Sequence, residues 1–231
     1  MPAAKLAPRE IERLAALRSY QILDSKPERT YDDIVQIAAC ICDTPIALIS
    51  LVDESRQWFK ARVGLDALET PRDQAFCAHT ILGPIPLVVA DARNDPRFDD
   101  NPLVTGDPQI RFYAGVPLFS ADGLAIGTLC AIDNKERRLT QGQVEALVAL
   151  GRQVIANFEA RKTAAQLAAA LDKIKSIVEL LPVCAWCKKV QSESGKWDTL
   201  EAYLTQITDI EFTHGICAPC RVHQFPPKSG D

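Results

Sequence analysis

Apolar residues along this chain recur in two rhythms, one of three to four residues and one of two. Residues 8–18, PREIERLAALR, place Ile11, Leu14 and Leu17 at helical spacing behind Pro8, with acids early, and predict a short helix. Residues 30–42, TYDDIVQIAACIC, predict a second helix, capped by Thr30 and striped by Ile34, Ile37, Ala38 and Ile41. Cys40 and Cys42 lie in or beside that stripe. IALISLVD (46–53) and QWFKARVG (57–64) predict two strands joined by a turn at DESR. FCAHTI (76–81) reads as one helical turn and PLVVAD (86–91) as a strand. RFYAGVPLFS (111–120) and LAIGTLCAID (124–133) read as strands joined at Ala121-Asp122-Gly123. Residues 92–109 are rich in Asp, Asn, Pro and Gly and predict a long loop, which in a compact domain is more often functional than filler.

From Thr140 to Leu181 the chain has no proline and is rich in helix formers. Val144, Leu147, Leu150, Val154 and Phe158 recur by threes and fours. Leu167, Leu171, Ile174, Val178 and Leu181 then keep a four-three spacing, a short heptad seam. A helix over this stretch is about 60 Å long at 1.5 Å per residue, longer than a domain of this size. Its first half is expected to close the body. Its second half is expected to project and form a parallel homodimer; packing on the chain's own C-terminal piece is the alternative. Pro182 ends it.

Composition narrows the function classes. With 47% hydrophobic and 24% charged residues the chain reads as globular. A net charge of −4 gives no basic face for nucleic acid. No apolar run approaches the roughly 18 residues of a membrane span, and MPAAKLAPREIERLAAL has no signal-peptide core. The expectation is a cytoplasmic protein whose thiols stay reduced, with no nucleic-acid or membrane partner.

Eight cysteines stand out against that expectation, four of them in the last 50 residues. Cys184 and Cys187, then Cys217 and Cys220, form C-x2-C-x29-C-x2-C. Two such turns let four thiolates surround one zinc ion at about 2.3 Å, although the spacer exceeds the usual span of about 15–20 residues. That spacer holds a turn at Glu193-Ser194-Gly195 and a helix carrying Trp197, Leu200, Tyr203 and Leu204, as in a zinc-ribbon-like module. His214 is either a replacement ligand or a hydrogen-bonding neighbour. Covalent haem is excluded because Lys188 and Arg221, not His, follow the pairs. CAPC lacks the βαβ setting of a thioredoxin. A redox switch and an Fe–S cluster stay open. Metal ligation would supply stability that a 50-residue tail lacks.

FCAHTI (76–81), VADARNDPRFDDNPLV (89–104), RFYAGVPL (111–118) and GTLCAIDN (127–134), in that order, resemble a GAF domain of the bacterial signalling type, over about Leu14 to Arg161. The resemblance implies an α+β fold: an antiparallel sheet with helices on one face, a ligand cavity on the other beneath the long loop, and dimerisation through flanking helices. It implies that Trp58, Cys77, His79, Arg97, Phe98, Arg111 and Tyr113 border the cavity. Alternatively, Asp91, Asp95, Arg97 and Arg111 form a network that only holds the loop. Cyclic-nucleotide members show Asn-Lys, a Phe and an acid pair; Asn134-Lys135 fits, but Leu139 and Gln143-Val144 depart. Ala78 separates Cys77 from His79, against a bilin thioether. Residues 181–220 resemble a short tail found on bacterial receiver and GAF signalling proteins.

The domains expected are a GAF sensory domain at 1–161, a helical linker at 162–181 and a four-Cys module at 182–231. Past residue 161 no kinase, cyclase or helix-turn-helix signature appears. The function expected is a non-catalytic sensor or adaptor, not an enzyme, whose GAF domain binds an unidentified small ligand or acts as a dimerisation platform, with structural zinc and a signalling protein partner. The alternative is a thiol-based reductase of the methionine sulfoxide type, with His79 activating Cys77. If residues 165–181 form the dimer seam, replacing Leu171 and Ile174 with Glu yields monomers by light scattering. A doubly substituted chain that stays dimeric contradicts the seam.

Overall fold

The computed structural model describes residues 3–178, 181–192, 194–208 and 210–224. The chain divides into two compact units, Met1–Leu167 and Ala168–Asp231. The first unit starts with α1 (Glu10–Ser19), α2 (Arg29–Cys42), β1 (Ile46–Val52), β2 (Arg56–Val63) and β3 (Glu69–Pro71). It continues with α3 (Phe76–Thr80), β4 (Leu87–Val89), α4 (Pro102–Thr105), β5 (Phe112–Phe119) and β6 (Ala125–Asp133). Helix α5 (Gln141–Val178) follows. The strands form one antiparallel sheet in the order β3-β2-β1-β6-β5-β4.

Period-2 sequence decides the faces of this sheet. Ala47, Ile49 and Leu51 of β1 and Phe112, Ala114, Val116 and Leu118 of β5 point toward α1, α2 and α5. Leu147, Val154 and Phe158 of α5 complete that layer, with Phe158 wedged between the rings of Tyr20 and Tyr31. Ile46, Leu48 and Val52 of β1, Tyr113 of β5 and Cys130 and Ile132 of β6 point the other way, toward α3 and residues 89–110. A bulge in β2 sets its faces: Ile49 pairs with Ala61 and Ser50 with Phe59, which leaves Lys60 as the extra residue. Its ammonium is buried but satisfied by Ser25, the Lys26 carbonyl and Glu28, and Glu28 is also held by Arg161 of α5.

Several sequence expectations shift. Ile11 and Ile37, expected in apolar stripes, are 86% and 47% exposed. Tyr31, Val35 and Cys42 fill the buried side of α2. Thr30 does not cap α2; Glu28 stands at that position. Cys40, expected in or beside the α2 stripe, is exposed. The 92–109 stretch contains the short helix α4, capped by the Asn101 side chain, which accepts from the Leu103 N–H. On α5, Leu167 and Leu171 are exposed, while the side chains of Ile174 and Val178 lie outside the described residues.

In the second unit β7 (Val190–Gln191) pairs with β8 (Trp197–Asp198), α6 (Leu200–Ile207) is capped by the Thr199 hydroxyl, and α7 (Ala218–Gln224) follows. Gly195, at φ +82°, supplies the left-handed position of the β7–β8 turn. Among the described residues no helix is long and apolar enough to cross a membrane.

A charged knot fastens α1 to the sheet. Arg13 is buried and donates to the Val52 carbonyl at 2.7 Å and to Glu10, which also receives Arg72 at 2.7 Å. Burial alone pushes the Glu10 carboxyl up, but the hydrogen bonds and charges of Arg13 and Arg72 outweigh it and hold its pKa at about 2. The folded pKa lies below the unfolded one, so this stability is present above about pH 4.5 and is lost as pH falls toward 2. Glu10→Gln therefore flattens the acid limb of the unfolding free energy measured by urea titration across that window. An unchanged acid limb contradicts the role of the knot.

Candidate functional site

The face of the sheet opposite the long helix does not pack to completion. A cavity of about 180 Å³ lies there, walled by Ile46, Leu48, Gln57, Phe59, Thr70, Phe76, Cys77, Tyr113 and Ile132. Leu65 and Ala67, together with Leu103, Asp107 and Pro108 of the long loop and Ile110 just after it, complete it. The walls are mainly apolar, with a few polar atoms set among them, the usual chemistry of a small-molecule site. Gln57 and Thr70 are cross-strand partners on β2 and β3. The Gln57 Oε1 and Thr70 Oγ1 atoms are buried and have no hydrogen-bond partner.

Cys77 sits at the cavity wall in a cluster of sulfur and hydroxyl groups. Its Sγ accepts from the Thr128 hydroxyl at 2.9 Å and the Tyr113 hydroxyl at 3.4 Å, and lies 3.9 Å from Cys130 Sγ. Strand geometry explains the convergence: Thr128 and Cys130 are two apart on β6 and share a face. Gly115 lies opposite Cys130 on β5, and a Cβ there would stand 2.1 Å from the Tyr113 hydroxyl. Glycine thus leaves room for that hydroxyl, which also hydrogen-bonds Thr80 at 2.7 Å. Burial pushes the Cys77 thiol up, but hydrogen bonds from Cys130, Thr128 and Tyr113 outweigh it and bring it below an ordinary thiol. Cys130 moves the other way, raised by its hydrogen bond to Cys77 and by burial. The two sulfurs lie close enough that they titrate as a pair.

The other residues expected at the cavity are placed elsewhere. Trp58 points to the helix layer, because the neighbouring positions of β2 put Gln57 and Phe59 on the cavity side. Phe98 stacks on Phe76 with ring centroids 4.0 Å apart, and His79 meets Phe98 edge-on at 4.9 Å. These rings pack the loop behind the cavity wall. His79 Nε2 is buried without a partner, and burial lowers its pKa, with Arg97 adding to the effect. It forms no hydrogen bond to Cys77 among the described residues. Arg97 pairs with Asp95 at 2.6 Å, Arg93 with Asp91 at 2.7 Å, and Arg111 donates to the carbonyls of Val104 and Ile110. The four-residue network expected of Asp91, Asp95, Arg97 and Arg111 is thus separate local pairs. Gln57, Thr70 and Thr128 escaped the sequence reading. The one available signal was a glutamine at an alternating strand position, which period alone does not separate from a solvent-facing residue.

The tail cysteines form two turns. In the first, the Cys187 N–H approaches Cys184 Sγ at 3.5 Å and the Cys184 N–H donates to the Lys189 carbonyl. Lys188 takes a left-handed φ of 59°. In the second, Cys217 directly precedes α7 and its carbonyl accepts from the Arg221 N–H. Among the described residues no three His, Cys, Asp or Glu side chains are gathered as a metal-ligand set. His214 lines a separate surface hollow with Thr199, Phe212 and other residues near α6.

Comparison with known proteins places this geometry. A cyclic di-GMP phosphodiesterase of Pseudomonas aeruginosa, PA2567, is 45% identical over 150 residues, which cover 64% of this chain and 26% of that protein. The chain therefore spans about a quarter of that relative's length. The expectation that the protein is not an enzyme is corrected by this match, since the relative is named as one. Two solved structures share the fold. One is free methionine-R-sulfoxide reductase from Neisseria meningitidis, with TM-score 0.50 and 18% identity over 71% of this chain and 98% of that one. The other is the PixJ GAF domain of Thermosynechococcus elongatus in its blue-light-absorbing form, with TM-score 0.51 and 16% identity over 69% and 96%. The family model described as GAF domain matches residues 26–157, more than half the chain, which spans the sheet, the cavity and the start of α5. This chain belongs to the GAF domain family.

Proposed function

We propose that this protein is a sensory signal-transduction protein whose GAF cavity takes a small, mainly apolar ligand bearing a hydrogen-bond donor. The observation that carries the reading is the unpaired Gln57 Oε1 in the wall of a cavity. A buried acceptor without a partner costs about 1–3 kcal/mol, and a ligand donor recovers that cost. Thr70 beside it and Asp107 at the loop supply further polar contacts. The name of the Pseudomonas relative supports cyclic di-GMP turnover as the signalling setting. In this reading α5 passes the state of the cavity onward and the exposed Leu167 and Leu171 serve a homodimer. The four tail cysteines hold zinc and face a signalling partner. Their kind and number fit zinc, and the Cys187 N–H directed at Cys184 Sγ suits a thiolate in that turn.

One observation favours a second reading. Cys77 lines the same cavity, where a thiol-based reductase of small molecules would carry its nucleophile. Such an enzyme consumes its substrate and loses turnover in Cys77→Ala.

Phenol, an apolar ring with one donor, tests the cavity. It is expected to raise the unfolding temperature by a few degrees, which corresponds to about 1 kcal/mol for a chain of this size. Gln57→Leu is expected to raise the ligand-free unfolding temperature, because it removes an unpaired acceptor, and to blunt the phenol response. Equal phenol responses in both proteins contradict the role of Gln57. Elemental analysis of the reduced protein tests the tail: about one zinc per chain is expected, lost in Cys184→Ser or Cys217→Ser. Four freely titrating tail thiols with no metal instead assign the tail to redox chemistry.

A further inference from the structure

Cys77 and Cys130 have surroundings that the binding of an apolar ligand does not require. Their sulfurs are 3.9 Å apart on separate elements, α3 and β6. Two hydroxyls aim hydrogen at Cys77 Sγ, from Thr128 and Tyr113. A thiol packed as a small apolar residue needs no such donors; a thiolate does. Cys77 is 1% exposed, yet its side chain lines the cavity. The cavity is therefore the side from which a small reactant would approach it. Cys42 shows the contrast: it is equally buried, and burial pushes its thiol up to about 11.

We propose that Cys77 and Cys130 are a peroxide-oxidised site, in which Cys77 is attacked first and Cys130 closes a disulfide across α3 and β6. The steps balance. The Cys77 thiolate attacks one oxygen of hydrogen peroxide, the O–O bond breaks, and the leaving hydroxide takes a proton to become water. Cys77 is now a sulfenic acid. The Cys130 sulfur attacks it, the S–O bond breaks, and the departing hydroxide takes the Cys130 proton as the second water. Two thiols and one peroxide yield one disulfide and two waters, with two electrons passed to peroxide. The lowered proton affinity of Cys77 and the raised one of Cys130 agree with this order of roles.

Closure brings the sulfurs from 3.9 Å to about 2.05 Å. It also removes the thiolate that the Thr128 and Tyr113 hydroxyls serve. Tyr113 lines the cavity, and its hydroxyl is then left with Thr80, at 2.7 Å, as its partner. The site thereby links oxidation to the polar lining that a ligand meets. The chemistry needs no cavity ligand, so its success and that of the binding proposal are read separately.

The test is peptide mapping of the full reduced chain after hydrogen peroxide, with remaining thiols alkylated under denaturing conditions before trypsin. Cys77 is the one cysteine in residues 73–93 and Cys130 the one in residues 112–135, the two tryptic peptides concerned. The expected product joins these peptides with loss of two hydrogens and is released by dithiothreitol. In Cys130→Ser, where the resolving thiol is gone, Cys77 is expected to carry a dimedone adduct. Recovery of both wild-type peptides in alkylated form, after the tail cysteines have oxidised, overturns the proposal. So does a disulfide from Cys77 to any other cysteine. A null phenol result with the two peptides joined rejects the binding reading alone; a phenol response without the joined peptides rejects the redox site alone.

Discussion

The constraint on which this architecture rests is that β1, β6 and β5 have no solvent face. All residues of β1 and β6 are buried, so both sides of the sheet centre must be covered. The chain meets the two demands differently. Three helices cover one side, where Phe158 sits between two tyrosine rings and Lys60 is fully satisfied at the edge of that layer. The other side is covered by a five-residue helix and loop segments that are too short and irregular to fill the space over β1, β2 and β5. The cavity on this side is the remainder.

What the cavity can do follows from which polar atoms the strands deliver to it. The β2 bulge and the β2–β3 register bring Gln57 and Thr70 to one wall as unpaired groups. The β5–β6 register brings Gly115 opposite Cys130 and lets Tyr113 fold its hydroxyl toward Cys77. The first wall suits recognition and the second suits sulfur chemistry. Gln57, Thr70, Tyr113 and Cys130 all belong to one sheet.

The sequence carried the sheet well because β1, β5 and β6 are rich in β-branched, aliphatic or aromatic residues and Gly123 marks the β5–β6 turn, and the long helix well because no proline or glycine cluster interrupts its middle. Helix faces were harder to read. Ile11 and Ile37 match a helical period but face solvent, since the buried arc of each helix is chosen by the sheet it meets and not by its own period. The site was legible where a residue sits on a motif, as for Cys77 and Tyr113. It was hidden where register decides. Trp58 and Gln57 are adjacent, and strand alternation sends the tryptophan to the core and the glutamine to the cavity. The tail pattern was visible as two cysteine pairs, and the structure holds each pair as its own turn without gathering a metal set among the described residues.

Native mass spectrometry of the full chain, purified without added small molecules and compared with its mass after denaturation, tests the central claim most directly. A cavity that serves recognition predicts a discrete small mass bound to the native chain, released on unfolding and reduced in occupancy by Gln57→Leu. A native mass equal to the bare chain, unchanged after exposure to cell extract and identical in the variant, contradicts it.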